Sequence, residues 1–337
     1  MIFSLGCENL TQNTIDELDT KIVSSLLPDG RKKFIDIASE TNESLDVICQ
    51  HYRKMEKVGI ITGSTIFIDY RVLGYKLNFF VSLSVSSPNK ELVIETIRKI
   101  PGFYDVYLLG DKSNLIIPMH LENNQKFENV KQLIRNLPCR RMNLEVWTGN
   151  RVNMANLSIF SNCGSLRKSD ASDRKAKKRN LDGFRIDALD WKIIEQLVYD
   201  CRVTFSSLSK KTGNSTSTII RRFNRLFNSG FILPTIQINT SKLGYPADVL
   251  FKLRADTQTD LNETAEKISK IPDIYGIFKT VGDCDFILFG CLKNLEHILK
   301  LEEQINEITN IQEIVNISIL PSIPSGLPVV AMQKSTF

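Results

Sequence analysis

Near the start of the chain, apolar residues recur at helical spacing in three short runs. Leu18, Ile22, Val23, Leu26 and Leu27 form the first, with Asp16 as its cap, Asp19 near the N3 position and Pro28-Asp29-Gly30 as its stop. Phe34, Ile37 and Ala38 form the second, which ends near Thr41-Asn42. Ser44 caps the third, in which Leu45, Ile48, Tyr52 and Met55 make the apolar stripe and Gly59 ends the helix. Residues 60–69 are then rich in β-branched side chains around Thr62-Gly63-Ser64, which predicts a hairpin or wing.

From residue 77 the pattern switches between alternation and helical spacing. Strands are predicted over 77–86, 103–109, 114–121 and 140–148, and helices over 89–100 and 125–136; Pro118 argues that the third strand is an edge or ends early. Three helices with a tight turn between the last two, followed by a wing, describe a winged helix-turn-helix. The βαββαβ order that follows is the split-βαβ, ferredoxin-like arrangement.

The whole pattern then recurs. Leu18, Asp19, Lys21, Ile22, Leu26, Asp29, Arg31 and Phe34 reappear 171 residues later as Leu189, Asp190, Lys192, Ile193, Leu197, Asp200, Arg202 and Phe205. Leu73-Gly74-Tyr75 meets Leu243-Gly244-Tyr245, Lys99-Ile100-Pro101 meets Lys270-Ile271-Pro272, and Gly110-Asp111 meets Gly282-Asp283. A shared offset over so many positions marks a tandem duplication. The second copy predicts strands near 248–254, 274–280, 285–291 and 311–320, with helices near 259–270 and 294–308. The expected fold class is therefore α+β, with two copies of a winged helix-turn-helix followed by a ferredoxin-like domain. The expected boundaries are 14–69 and 72–150 for the first copy, 185–239 and 243–320 for the second, and 321–337 for a tail.

Charge separates the copies from what joins them. Residues 1–160 hold 19 basic and 18 acidic side chains, and residues 185–337 hold 17 of each. Residues 161–184 hold 7 basic and 3 acidic, so most of the net +5 lies between the copies. That stretch lacks apolar periodicity and reads as a basic flexible linker, with Lys175, Lys177, Lys178 and Arg179 available for nonspecific phosphate contact. Seven irregularly spaced cysteines without a CxxC pair, and three histidines, argue against a disulfide scaffold or a structural metal. No apolar run is long enough to span a membrane, and no signal peptide is read at the N-terminus, so a cytoplasmic location is expected.

The third helix of the second copy carries the clearest candidate chemistry. Ile219, Ile220, Phe223, Leu226 and Phe227 are read as facing inward. Thr218, Arg221, Arg222 and Arg225 form one acid-free stripe, with Ser217 beside it. Arginine suits DNA because its planar fork holds guanine O6 and N7 together or clamps phosphate. The matching helix of the first copy offers Gln50 for a base and Arg53, Lys54 and Lys57 for phosphate, although Asp46 and Glu56 intrude; His51 is read as a polar surface residue. The loop Thr280-Val281-Gly282-Asp283-Cys284-Asp285 is the other site-like feature. Its default reading is a polar hairpin turn, but Asp283 and Asp285 beside Gly282 could hold an ammonium group. No nucleophile–base pair, P-loop or metal-ligand spacing emerges, so no catalytic residue, cofactor or metal is expected.

Leu18-Asp19…Asp29-Gly30-Arg31, Gly59-Ile60-Ile61 and Leu73-Gly74-Tyr75, with their counterparts Leu189-Asp190…Asp200-Cys201-Arg202, Gly230-Phe231-Ile232 and Leu243-Gly244-Tyr245, resemble the Lrp/AsnC (feast/famine) family of transcription regulators in order and spacing. The resemblance implies a non-enzymatic regulator that binds double-stranded DNA. It also implies that the ferredoxin-like (ACT-like, RAM) domains pair and bind a small effector, usually an amino acid, near Gly282, Asp283 and Asp285. In the first copy the corresponding Gly110 and Asp111 are followed by Lys112 and Asn114, which opposes an ammonium ligand there. One chain then supplies both halves of a pseudo-dimer for an asymmetric DNA site. Two rivals are a siroheme decarboxylase-like enzyme, which is similar to the same two-domain unit, and a DNA-silent effector sensor.

Overall fold

The computed structural model describes residues 15–69, 74–100, 102–103, 105–109, 114–161 and 184–321. In the first half, α1 (Glu17–Leu26), α2 (Phe34–Thr41) and α3 (Leu45–Lys57) precede β1 (Ile61–Ile68). Next come β2 (Leu77–Val85), α4 (Lys90–Arg98), β3 (Tyr107–Leu108), β4 (Asn114–Leu121), α5 (Asn124–Arg135) and β5 (Cys139–Val152). The second half repeats the order with α6 (Ala188–Tyr199), α7 (Phe205–Thr212), α8 (Thr216–Asn228) and β6 (Ile232–Ile238). It continues through β7 (Ala247–Ala255), α9 (Leu261–Ile268), β8 (Ile274–Val281), β9 (Phe286–Leu292), α10 (Glu296–Asn306) and β10 (Ile311–Pro321).

Both first helices begin on a reciprocal aspartate cap. Asp19 N donates to Asp16 Oδ1 at 2.8 Å and Asp16 N to Asp19 Oδ2 at 3.2 Å; Asp187 and Asp190 repeat the exchange at 3.0 and 3.1 Å. Each cap satisfies helix N–H groups that have no partner within the helix.

The expected wing hairpins do not form. β1 is one continuous strand through Thr62-Gly63-Ser64, and it pairs antiparallel with β6. A bulge at Ile61/Gly63 takes up the one-residue slip between the copies, and Thr65 stands directly opposite Thr235. These two threonines are sequence equivalents, and each hydroxyl donates to an equivalent helix carbonyl: Thr65 to Val198 O at 2.8 Å, Thr235 to Leu27 O at 2.7 Å. A pseudo-two-fold axis therefore passes through the ribbon.

The ribbon exchanges packing between the heads. Ile236 and Ile238 of β6 pack in the core of α1–α3, whereas Ile66 and Ile68 of β1 pack with α6–α8. At Gly30 the first head lies against β6 so closely that an added Cβ would sit 2.6 Å from the Thr235 carbonyl carbon, while Gly30 N donates to Pro234 O at 3.0 Å. Each head is thus completed by a strand end from the opposite half.

The two ferredoxin-like domains join in one eight-stranded sheet, ordered β10-β7-β9-β8-β5-β2-β4-β3. The seam is β5 against β8. It runs β5 on to Val152, beyond the predicted end at 148, because the extra residues pair with β8. The predicted strand at 103–109 shrinks to β3 and one bridge from Phe103 to Met119. Pro118 is tolerated in full-length β4 because β3 pairs only at Ile116 and Leu115 on that side. Helices α4 and α5 cover one outer face through Val93, Ile97, Val130 and Ile134; α9 and α10 cover the other through Ile268, Leu301 and Ile305. The sheet curls so that its inner face closes on itself, with Phe80 packed against Trp147, Phe278 and Phe289 at 4.6, 5.1 and 6.0 Å between ring centres.

Candidate nucleic-acid interface

Which face a third helix presents is set by what its other face holds. On α8, Ile219, Phe223 and Leu226 are buried, and Ser217, Ile220, Arg221, Asn224 and Asn228 are exposed. Ile220 is therefore outside, not inside as its apolar character predicts. Thr218, Arg222 and Arg225 lie on the flank instead. Ser215 Oγ accepts from Thr218 N at 3.2 Å and lies 2.9 Å from its hydroxyl. Arg222 pairs with Asp187 at 2.7 Å and with Asp190 at 3.4 Å. Arg225 pairs with Asp190, donates to Arg185 O at 3.1 Å and lies 4.8 Å over Phe184. Two of the three arginines are thus anchored to the cap of α6, and Arg221 stands out to solvent.

The first half has the same plan with weaker bases. Asp46, Gln50, Arg53 and Lys57 form the exposed line of α3, at the positions equivalent to Ser217, Arg221, Asn224 and Asn228. His51 and Lys54 replace Arg222 and Arg225 on the flank, with His51 Nδ1 2.8 Å from Asp19 Oδ1 and Lys54 Nζ 3.1 Å from Asp19 Oδ2. The Asp19 hydrogen bond raises the Lys54 pKa. His51, Asp16 and Asp19 lie close enough together to be a cation's donor set. Lys54 already shares Asp19, however, and Arg222 occupies the equivalent place in the second half, so a cap-to-helix ion pair is what both halves have in common.

The hairpin expected to bind an effector joins β8 to β9. Asp285 Oδ2 accepts from Ala255 N at 2.8 Å, Thr280 Oγ1 donates to Cys284 O at 2.8 Å, and Arg254 donates to Asp283 O at 3.0 Å. Asp285 is thus engaged by backbone, while Asp283 is exposed. Beside them opens a groove of about 470 Å³ lined by Arg254, Asp256, Thr257, Thr259, Asp283 and Gln312, with Arg254 paired to Glu313. Gly282 also faces the seam, where an added Cβ would come 2.6 Å from Leu144 O of the first half. Gly110 and Asp111 lie outside the described residues, as do the basic cluster at 175–179 and the tail beyond 321.

The AsnC-type helix-turn-helix domain profile matches residues 186–226, and that of the Lrp/AsnC ligand binding domain matches residues 247–323. The HTH-type transcriptional regulator FL11 of Pyrococcus furiosus is 35% identical over 130 residues, which are 38% of this chain and 84% of that protein. The chain belongs to the Lrp/AsnC family. An uncharacterized HTH-type transcriptional regulator of the same organism is 33% identical over 134 residues, 39% of this chain and 89% of the relative. A Lrp/AsnC unit thus spans less than half of this chain, as a fold written twice requires. The chain shares its fold with the siroheme decarboxylase NirDL, with a TM-score of 0.57, 14% identity and 91% of each chain covered. Among the described residues no helix is long and apolar enough to cross a membrane.

Proposed function

We propose that this Lrp/AsnC chain is a sequence-specific transcription regulator of the cytoplasm, and that its two halves act as an intrachain pseudo-dimer on an asymmetric DNA site. The observation that carries this reading is the pair of equivalent third-helix faces related by the Thr65–Thr235 axis but differing in side chains. Ser217, Arg221 and Asn224 of α8 offer donors for base edges and phosphate, and Gln50, Arg53 and Lys57 of α3 offer a different set. Thr218, Arg222 and Arg225, with Lys54 in the first half, act one step back: they orient the helix and add positive charge near the phosphates. Charge reversal at Arg221→Glu tests the assignment. DNA affinity falls with the unfolding temperature unchanged if the reading holds, and unchanged affinity would instead favour a sensor that does not use DNA.

The groove at Gly282, Asp283 and Asp285 is assigned to a small effector bearing an amine, because Asp256 and Asp283 face it while Arg254 is neutralised by Glu313. The first-half loop at Gly110 and Asp111 is left without an effector, since Lys112 would repel an ammonium group.

A tetrapyrrole enzyme is the second reading, favoured by the fold shared with NirDL over nearly the whole chain. The space between the curled sheet faces is filled here by Phe80, Trp147, Phe278 and Phe289, and His120 lies 2.6 Å from Asn78 Oδ1. The visible spectrum of siroheme titrated with the chain decides it: an unshifted spectrum is expected, and a shifted, saturable one would favour the enzyme.

A further inference from the structure

One ion pair is buried where the two halves meet. Lys252 Nζ of β7 lies 2.5 Å from Glu145 Oε1 of β5 and donates to Ser82 Oγ of β2 at 2.9 Å. Glu145 is wholly buried and Lys252 nearly so. Leu250 on β7 and Phe80 on β2 share their side of the sheet with Lys252 and Ser82, so the cluster sits on the inner face.

Strand register identifies the equivalents. β2 and β7 correspond with an offset of 170, which makes Ser82 the counterpart of Lys252 and Phe80 that of Leu250. Phe80 pairs with Glu145, and Leu250 pairs with Ser318. The position of Glu145 is therefore held by Ser318 in the second half. Ser82 and Lys252, which are counterparts, touch each other, so they lie beside the pseudo-two-fold axis.

That placement fixes what each half would meet in a copy of itself. Two second halves would put Lys252 against Lys252, with Ser318 in the place of Glu145. Two first halves would put Ser82 against Ser82 and set two buried Glu145 carboxylates in the seam without Lys252. A buried charge without its partner is among the costliest defects an interface carries. A first half against a second half sets Lys252 directly against Glu145.

We propose that Glu145 and Lys252 form a pairing code: the inner surface of the first half accepts a second half and rejects a first half, and the second half does the reverse. The partner selected is the other half of the same chain, and a second copy qualifies only by exchanging halves reciprocally. The code keeps the two different reading helices, α3 and α8, on one DNA-binding unit.

Full-length chains with complementary defects test it. Glu145→Lys places lysine at both positions, and Lys252→Glu places glutamate at both, so neither chain can satisfy its own seam. Co-expressed with different tags, the two variants regain neutral seams only by exchanging halves. Native mass spectrometry of the doubly purified material is then expected to give a one-to-one two-chain complex, at least about tenfold enriched over the same experiment with two tagged wild-type chains. No enrichment, with each variant alone as stable as wild type, would overturn the proposal. If the single variants are too unstable to recover, the two changes are placed in one chain. Recovery of wild-type unfolding behaviour by that swapped chain supports the code, and stability no better than the worse single variant overturns it.

Discussion

The guanidinium of Arg31 lies 4.3 Å from the ring centre of Phe205, across the boundary between the two halves, while Arg202 returns the contact at 4.4 Å over Phe34. Each arginine also reaches the opposite third helix, Arg31 over Phe223 of α8 at 5.0 Å and Arg202 over Tyr52 of α3 at 5.6 Å. Arg31 donates to Val203 O at 2.9 Å and to Cys201 O, and Arg202 donates to Gly30 O at 2.6 Å. The two helix-turn-helix heads are thus locked by a reciprocal exchange, and neither third helix is positioned by its own half alone.

Removing either side chain should therefore act on both heads. Arg31→Ala loses two charge-assisted hydrogen bonds and two ring contacts, a cost of about 3 kcal/mol. Urea unfolding measures it, and Arg202→Ala should cost a similar amount. A loss below about 1 kcal/mol would mean that the exchange contributes little to the lock.

The arginines of α8 should separate by role. Arg221→Ala should weaken DNA binding by about 1–3 kcal/mol with little change in stability. Arg222→Ala leaves Asp187 and the buried Asp190 short of a cation, so it should lower the unfolding temperature as well. Calorimetry and anisotropy on the same two variants distinguish them.

The elements themselves were legible because helix periodicity and caps are local: Asp16 and Ser44 each cap the helix that their spacing predicts, and Asp187 and Ser215 do the same in the second half. The wings were not, because the strand that completes β1 lies about 170 residues away and a lone β-branched run looks the same beside a hairpin partner or a distant one. The role of Arg222 and Arg225 was hidden for a related reason. On a helical wheel they continue the line of Arg221, and only the packing of α6 against α8 brings Asp187 and Asp190 to them. A signal was present in the copies: the same offset aligns Asp16 and Asp19 with Asp187 and Asp190, and His51 and Lys54 with Arg222 and Arg225. A basic pair that repeats together with an acidic pair marks an ion-pair cluster.

Acid should loosen the inner core through His120. Burial lowers its pKa from the usual value to about 4, so the folded chain keeps the ring neutral where the unfolded chain protonates it. The unfolded state then binds more protons between pH 6.5 and 4, and stability falls as pH falls through that window, by up to about 3 kcal/mol from this group. His120→Gln should flatten that part of the pH–stability curve relative to wild type, and parallel curves would contradict the assignment.

Asp273 is buried with φ at +67°, a conformation that strains most side chains, and it accepts from Tyr245 Oη at 2.7 Å and Ser158 N at 2.6 Å. Its counterpart in the first half is Gly102, at +86°. Asp273→Ala keeps the strain and loses both bonds, so a destabilisation of about 2–4 kcal/mol is expected, with Asp273→Gly milder because the strain is relieved. Thermal unfolding of the two variants ranks them.

Fluorescence anisotropy of the whole chain on DNA from its own upstream region tests whether one chain reads an asymmetric site with two different heads. A scrambled duplex serves as control across a salt series. Binding to the upstream duplex is expected to be tighter, at one chain per site, with affinity falling steeply as salt rises. Absence of binding even at low salt would contradict it.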